Sequence, residues 1–320
     1  MTAGCGNRPT VARPVTPKAR RVIGYTVVAV LGTVAAYHVH ERLPGLDEIA
    51  AVLRAADVAW LIAAGLAVLV SHDMFARHQR ALLRAVGVSL SHPRALALAY
   101  IRAAIAYTLP AGSIVSATYA YHQFHIHGAD RRSAATILVL SSVLLASALS
   151  LLYAAGVLVT ALLDLPLTSI LPSDLTTIVT AAGAALAVIT AAVIRLAARS
   201  IAARYWTLAL TAAVANWSAE LLCLVFVAHA LELNLGIIPV AAVFLGAQLA
   251  RQIPLTPGGI GLIEASLLTG LITAGTTTAS AAAAVLAYRL LSCWLVVKVG
   301  LLSWLYLRNP RESTNRYLRR

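Results

Sequence analysis

The feature that most restricts this chain is the length of its apolar runs. Several continue for the roughly 20 residues that a helix needs to cross about 30 Å of hydrocarbon. Closed barrels are the other solution in lipid, but they need short strands of alternating polarity. The runs here are unbroken and rich in Ala, Leu and Val, which predicts helices. Only 12% of the 320 residues are charged, against about a quarter in a water-soluble domain. The pattern predicts an all-α membrane protein with no soluble enzyme domain.

The runs divide the chain. Residues 1–21, rich in Pro, Arg and Thr, are expected to form a disordered basic tail, and 22–307 a polytopic transmembrane domain. A second basic tail, 308–320, follows. Within the domain, spans are expected at about 22–39, 58–75, 134–163, 175–194, 206–231 and 279–307, with 40–57 as a linker. Two further segments are interrupted. Residues 95–109 are broken from 113–127 by Pro110-Ala-Gly112. Residues 237–253 are broken from 260–275 by Pro254-Leu-Thr-Pro257-Gly258-Gly259. About six full spans plus two re-entrant hairpins are therefore expected.

Sidedness follows from charge. If each hairpin enters and leaves on one face, both termini lie on the same side. That side then carries 19 of the 25 basic residues, and the other side carries seven of the twelve acidic ones. This is the asymmetry that places basic loops in the cytoplasm. The chain is expected in the cell (inner or plasma) membrane with N- and C-termini cytoplasmic. The hairpins then dip in from opposite faces, the signature of an inverted repeat. Irregular backbone at membrane depth is tolerated where protein buries it or water reaches it. The breaks thus predict a polar cavity near the midplane.

Seven ionisable residues fall within apolar runs: Arg102, Arg251, Arg289, Lys298, Asp73, Glu220 and Glu264. A charge at the bilayer centre costs at least about 2.5–3.5 kcal/mol, so such groups face a cavity or a partner. Arg251 and Glu264 flank the second break, and a hairpin would bring them together. Arg289 and Glu220 lie near the middles of their spans. The structural alternative is that Arg251–Glu264 and Arg289–Glu220 are ion pairs that hold helices together. Asp73 and Lys298, nearer span ends, are expected to snorkel to the interface. Four basic groups against three acidic ones favour an anionic ligand. Gly258, Gly259 and Gly261 permit unusual backbone, and Pro254 and Pro257 cannot donate. Free N–H groups at the start of helix 260–275 would attract phosphate, while Glu264 caps that start or titrates.

Other chemistries fit poorly. The net charge of +13 is spread in short loop clusters, which argues against nucleic acid. The glycines lack the Lys-Ser/Thr of a nucleotide P-loop. Cys5, Cys223 and Cys293 have no metal or disulfide spacing, and the latter two are read as space-filling. His122, His125 and His127, with Tyr119 and Tyr121, are read as interfacial polar residues rather than metal ligands. No cofactor is expected.

The stretch Ile253-Pro-Leu-Thr-Pro-Gly-Gly-Ile-Gly-Leu-Ile-Glu-Ala265 resembles the lysylphosphatidylglycerol synthase transmembrane family, also called flippase-like. Leu109-Pro-Ala-Gly112 matches the earlier break typical of its members. The resemblance covers roughly 22–307 and implies a protein that moves or presents lipids, including aminoacylated phosphatidylglycerol and lipid-linked sugars. Many members carry Gly-Glu after the first break and a Glu-Arg pair in the next span; here Ser113-Ile114 and Ser141-Ser142 stand there. The family's soluble aminoacyl-transfer domain is not expected in this chain.

The leading expectation is a non-enzymatic membrane protein that translocates or binds an anionic lipid, either a phospholipid or a polyprenyl-phosphate-linked headgroup. The residues expected to handle that headgroup are Arg251, Pro254, Pro257, Gly258, Gly259, Gly261, Glu264, Arg289, Glu220, Arg102, Pro110 and Gly112. The alternative is a non-transporting scaffold for a lipid-modifying or glycan-assembly enzyme, which would be its membrane partner. A third reading, a membrane-embedded transferase with Glu264 or Glu220 as base, finds no donor site in the sequence.

Overall fold

A computed structural model describes residues 45–109, 111–162, 202–251, 259 and 261–308, with single positions at 188 and 195. All belong to the unit Pro44–Arg320. The expected span at 22–39, that at 175–194 apart from 188, both tails apart from Arg308, and Pro110, Pro254, Pro257 and Gly258 lie outside the described residues.

The described residues form helices α1 Leu46–Arg54, α2 Val58–Ala85, α3 His92–Thr108, α4 Gly112–Ile126, α5 Arg131–Leu162, α6 Ala203–Ala230, α7 Ile237–Arg251, α8 Leu262–Thr273, α9 Thr278–Arg289 and α10 Val296–Arg308. A π-helical stretch, Leu290–Leu295, joins α9 to α10. Among the described residues, four continuous helical stretches are long and apolar enough to cross a membrane: 58–85, 131–162, 203–230 and 278–308. Helices α3, α4, α7 and α8 hold 17, 15, 15 and 12 residues, short of the roughly 20 needed alone.

The first break forms as its residues require. Pro93 sits in the first turn of α3, where its missing N–H costs nothing. Leu109, before Pro110, is extended with ψ 144°, as a residue preceding proline should be. The chain then reverses through Ala111 at φ 53°. A Cβ on Gly112 would fall 2.5 Å from the Ala106 carbonyl oxygen and 2.6 Å from that of Ile105. Only glycine lets α4 start so close to the end of α3.

Helix α1 occupies the segment read as a linker. Its Ile49, Val52 and Leu53, with Ala56 beyond its end, pack on the core, at the spacing of one helical face. Asp47 and Glu48 stand in its first turn and Arg54 in its last, each complementing the helix dipole. That short charged helix was hidden by its lack of a long apolar run.

Helices α2 and α6 are antiparallel along their whole lengths. The Asp57 N–H donates to the Ala230 carbonyl at 2.8 Å, Ser71 Oγ donates to Asn216 Oδ1 at 3.0 Å, and His78 Nδ1 meets the Ala209 carbonyl at 2.8 Å. Around this pair the short helices are exchanged. Helix α3 packs on α10, where Gly300 lies against the Tyr100 carbonyl and a Cβ would come within 2.6 Å of it. Helix α7 packs on α5, where the Tyr153 hydroxyl donates to the Leu245 carbonyl. Two apolar clusters fill the bundle. One gathers α7, α8 and α9 with the start of α2 and the end of α6. The other gathers the end of α2 and the start of α6 with α3, α4 and α5.

Candidate functional site, a charged cluster between the two broken segments

Helix α7 ends at Arg251, whose guanidinium turns back into the bundle. Its Nη1 lies 3.7 Å from Glu220 Oε1 on α6, and its Nη2 donates to the Tyr107 hydroxyl on α3 at 3.2 Å. The guanidinium carbon is 5.6 Å from the Tyr107 ring centre, within cation–π range. Tyr107 stands two residues before Leu109 and the first break. The ends of both interrupted segments thus meet through one arginine.

A second pair lies on the far limb. Arg289 Nε is 2.6 Å from Glu264 Oε1, a charge-assisted contact. The other oxygen of Glu264 accepts the Gly261 N–H at 2.7 Å. Gly261 has φ +87° and Gly259 φ +72°, which glycine alone adopts without strain. Glu264 therefore caps α8, one arm of a capping box, and its charge suits the helix N-terminus. The expectation of free N–H groups there is corrected in part, because Gly261's is taken. A Cβ on Gly259 would approach the side chain of Arg251 at 3.8 Å, so this glycine borders the cluster.

The pairing differs from the sequence expectation. Arg251 meets Glu220 rather than Glu264, and Arg289 meets Glu264 rather than Glu220. Closeness across a turn did not decide it. Arg251 points toward α6 and α3, while Glu264 is tied to its own helix start and reaches α9. The contacts also differ in strength. At 3.7 Å the Arg251–Glu220 pair is longer than a hydrogen bond, whereas Arg289–Glu264 is tight. Glu220 and Arg289 are buried at 7% and 8% exposure, yet the Arg251 and Glu264 side chains keep 29% and 32%. Each pair thus has one member accessible.

The polar lining extends along α2. Ser71 binds Asn216 one turn from Glu220, and His72 stacks on Tyr100 with ring centres 4.7 Å apart. Tyr107, Ser71, His72 and Tyr100 escaped the sequence analysis. Their signal was there: buried Ser71, His72, His78 and Gln79 recur at i, i+1, i+7 and i+8, a polar stripe on an apolar helix. The π-helical stretch following Arg289 was equally unseen; such irregularities accompany functional positions.

Arg102 stands with the other apolar cluster. Its guanidinium carbon is 5.4 Å from the Phe75 ring centre. Its Nε and Nη1 are buried without a hydrogen-bond partner among the described residues. Asp73, expected to snorkel to the interface, lies 2.6 Å from Arg77 and 2.7 Å from His92. Lys298 is exposed. His125 and His127 turn Nδ1 to the Ala129 and Gln123 carbonyls, and Cys223 and Cys293 are buried in the first apolar cluster.

Long apolar helices, two interrupted segments and charges facing one another inside the bundle define a multi-pass helical membrane protein. The chain belongs to the family described as the lysylphosphatidylglycerol synthase TM region, whose model matches residues 21–300. It is also similar to a UPF0104 membrane protein of Methanothermobacter thermautotrophicus, 30% identical over 84 residues that cover 26% of this chain and 25% of that protein. The alignment thus spans a quarter of the relative's length.

Proposed function

We propose that the protein translocates or binds an anionic lipid, a phospholipid or a polyprenyl-phosphate-linked headgroup, at the Arg251 cluster. The observation that carries this is the reach of Arg251 from the second break to Glu220 and to Tyr107 beside the first. A phosphate competes well for a guanidinium held by one long ion pair, because Arg–phosphate contacts are charge-assisted and can be bidentate. Glu220, released from Arg251, can accept an ammonium group. The pair therefore also suits an aminoacylated headgroup of the kind that the family description names.

The transport half of the reading rests on topology. Helices α2 and α6 open the two halves, each followed by a pair of short helices and a long crossing stretch. Their antiparallel packing supports an inverted repeat, with the short pairs as re-entrant hairpins from opposite faces. In that architecture binding sites lie at the repeat interface near mid-membrane. The basic residues at the end of α2, the start of α3 and the starts of α5 and α6 converge on one end of the bundle. This supports cytoplasmic termini in the cell membrane.

The test is reconstitution into liposomes with labelled phosphatidylglycerol or polyprenyl-phosphate lipid. Wild type should move one of them faster than empty vesicles, and Arg251→Ala should lose most of that rate. No movement of any anionic lipid would overturn transport. A scaffold for a lipid-modifying or glycan-assembly enzyme is the second reading. It is favoured by Ser141, which hydrogen-bonds His78 at 2.9 Å and contributes no charge. A stable enzyme partner on pull-down, with full function in Arg251→Ala and Glu264→Ala, would select it.

A further inference from the structure

The Arg251–Glu220 pair sets a charge problem for any anion that takes the arginine. Once a phosphate holds the guanidinium, the Glu220 carboxylate is left without the partner that compensates it. We propose that this carboxylate then takes up one proton, so that an anionic lipid moves together with a proton. The inference rests on the lipid-handling reading of the same site and adds the coupled ion.

Glu220 is 7% exposed and lies on apolar α6, where an ionised carboxylate without a counter-charge is costly and protonates instead. Its contact with Arg251, 3.7 Å long, is its one salt bridge among the described residues. On α2 it faces His72, on α3 Tyr107, on α9 Tyr288 and on α6 itself Cys223. Helix α5 also packs on α6. Its arginines, Arg131 and Arg132, stand in its first turn, and its tyrosine, Tyr153, donates to the Leu245 carbonyl. Arg289, one position beyond Tyr288, is held at 2.6 Å by Glu264. The second break supplies no substitute cation, since residues 252–260 include no Lys, Arg or His.

His72 is the rival holder of the proton. Its Nδ1 lies 3.1 Å from the Val68 carbonyl, so the neutral ring carries its hydrogen there. The ring stacks on Tyr100 with 5° between the planes. A proton on Nε2 would create a buried charge near the Arg251 guanidinium, whereas a proton on Glu220 removes one. The carboxylate is therefore the assigned acceptor.

The exchange is one for one. The Arg251–Glu220 ion pair opens, a guanidinium–phosphate contact forms, and a proton from water adds to a Glu220 oxygen. Arg251 stays protonated throughout. A singly charged phosphodiester and one proton sum to zero, so the membrane potential does not oppose their joint passage. The proton plays the part that an ammonium group plays in an aminoacylated headgroup.

The experiment uses the full chain in detergent micelles with labelled phosphatidylglycerol, a phosphodiester that stays singly charged throughout. Binding is measured from about pH 5 to pH 8, a range that a buried carboxyl can reach. Glu220 holds the proton in the complex and not in the free protein, so acid favours the complex. Wild-type affinity should fall as pH rises, by up to about tenfold per pH unit for one linked proton. Glu220→Gln, which mimics the protonated carboxyl, should bind without a pH slope and match the wild type at the acidic end. In vesicles loaded with a pH dye and held at zero potential, the wild type should bring in about one proton for each labelled lipid carried above empty vesicles.

Affinity unchanged across the range, or lipid movement without proton entry, would overturn the coupling and leave the lipid-handling reading in place. A slope that survives Glu220→Gln and vanishes in His72→Gln would put the proton on the histidine and overturn the assignment. No binding at any pH would sink the lipid-handling reading and the coupling with it. If Glu220→Gln does not fold, the wild-type slope and the proton count decide alone.

Discussion

The two halves of the described bundle share a plan and differ in chemistry. Each opens with a 28-residue helix, continues with a short broken pair and closes with a long crossing stretch. The second half holds two half-buried ion pairs, Arg251–Glu220 and Arg289–Glu264. Among the described residues, the first half holds Arg102 against Phe75, with two buried nitrogens unpartnered, and a His78–Ser141 hydrogen bond. The same order of helices is thus compatible with either polar or charged packing. What distinguishes the halves is whether each charge finds a partner, since an unpaired ion in low dielectric is far costlier than a paired one.

The largest effect should come from splitting the looser pair. Glu220→Ala leaves Arg251 with Tyr107 alone, and a loss of about 3 kcal/mol is expected on unfolding in detergent. Adding Arg251→Met should recover more than half, because the stranded charge is gone. If it does not, the pair is not an isolated unit. A loss of about 2 kcal/mol is expected for Gly300→Val, read by the same melts, since the new atoms would strike the Tyr100 carbonyl at the α3–α10 contact.

Arg102→Met should act with the opposite sign to Arg251→Met. Removing buried, unpartnered donors stabilises by about 1 kcal/mol after the cation–π contact with Phe75 is subtracted. Should Arg102→Met instead destabilise the protein and abolish lipid movement, the first half carries headgroup chemistry of its own, and the contrast fails. The smallest effect is Asp57→Ala. The Asp57 carboxylate caps α2 by accepting the Ala59 N–H at 2.8 Å, and its loss should cost about 1 kcal/mol. The backbone link from Asp57 to Ala230 should survive, which hydrogen exchange at that amide would verify.

Much of the plan was legible in residue order. The first break appears after Leu109, where Leu109-Pro110 predicts it, because the residue before a proline is pushed out of the helical region. The crossing stretch expected at 279–307 was found at 278–308, because its long apolar run sets it. Expected span 58–75 runs ten residues further, to Ala85. Its last turns are basic, and hydropathy counts charge as an end while backbone hydrogen bonding does not. Helix α1 was missed for the related reason that nine residues with three charges leave no hydropathy signal.

By itself the sequence determined that the chain is a helical membrane protein and that one of its segments breaks after Leu109. These depend on solvation and on backbone sterics, both of which act over short stretches of chain. Only the tertiary structure decided which arginine meets which glutamate and that Tyr107 meets Arg251. Side-chain pairing depends on helix rotation and on contacts between different helices, such as Tyr107 with Arg251. No local pattern encodes those contacts.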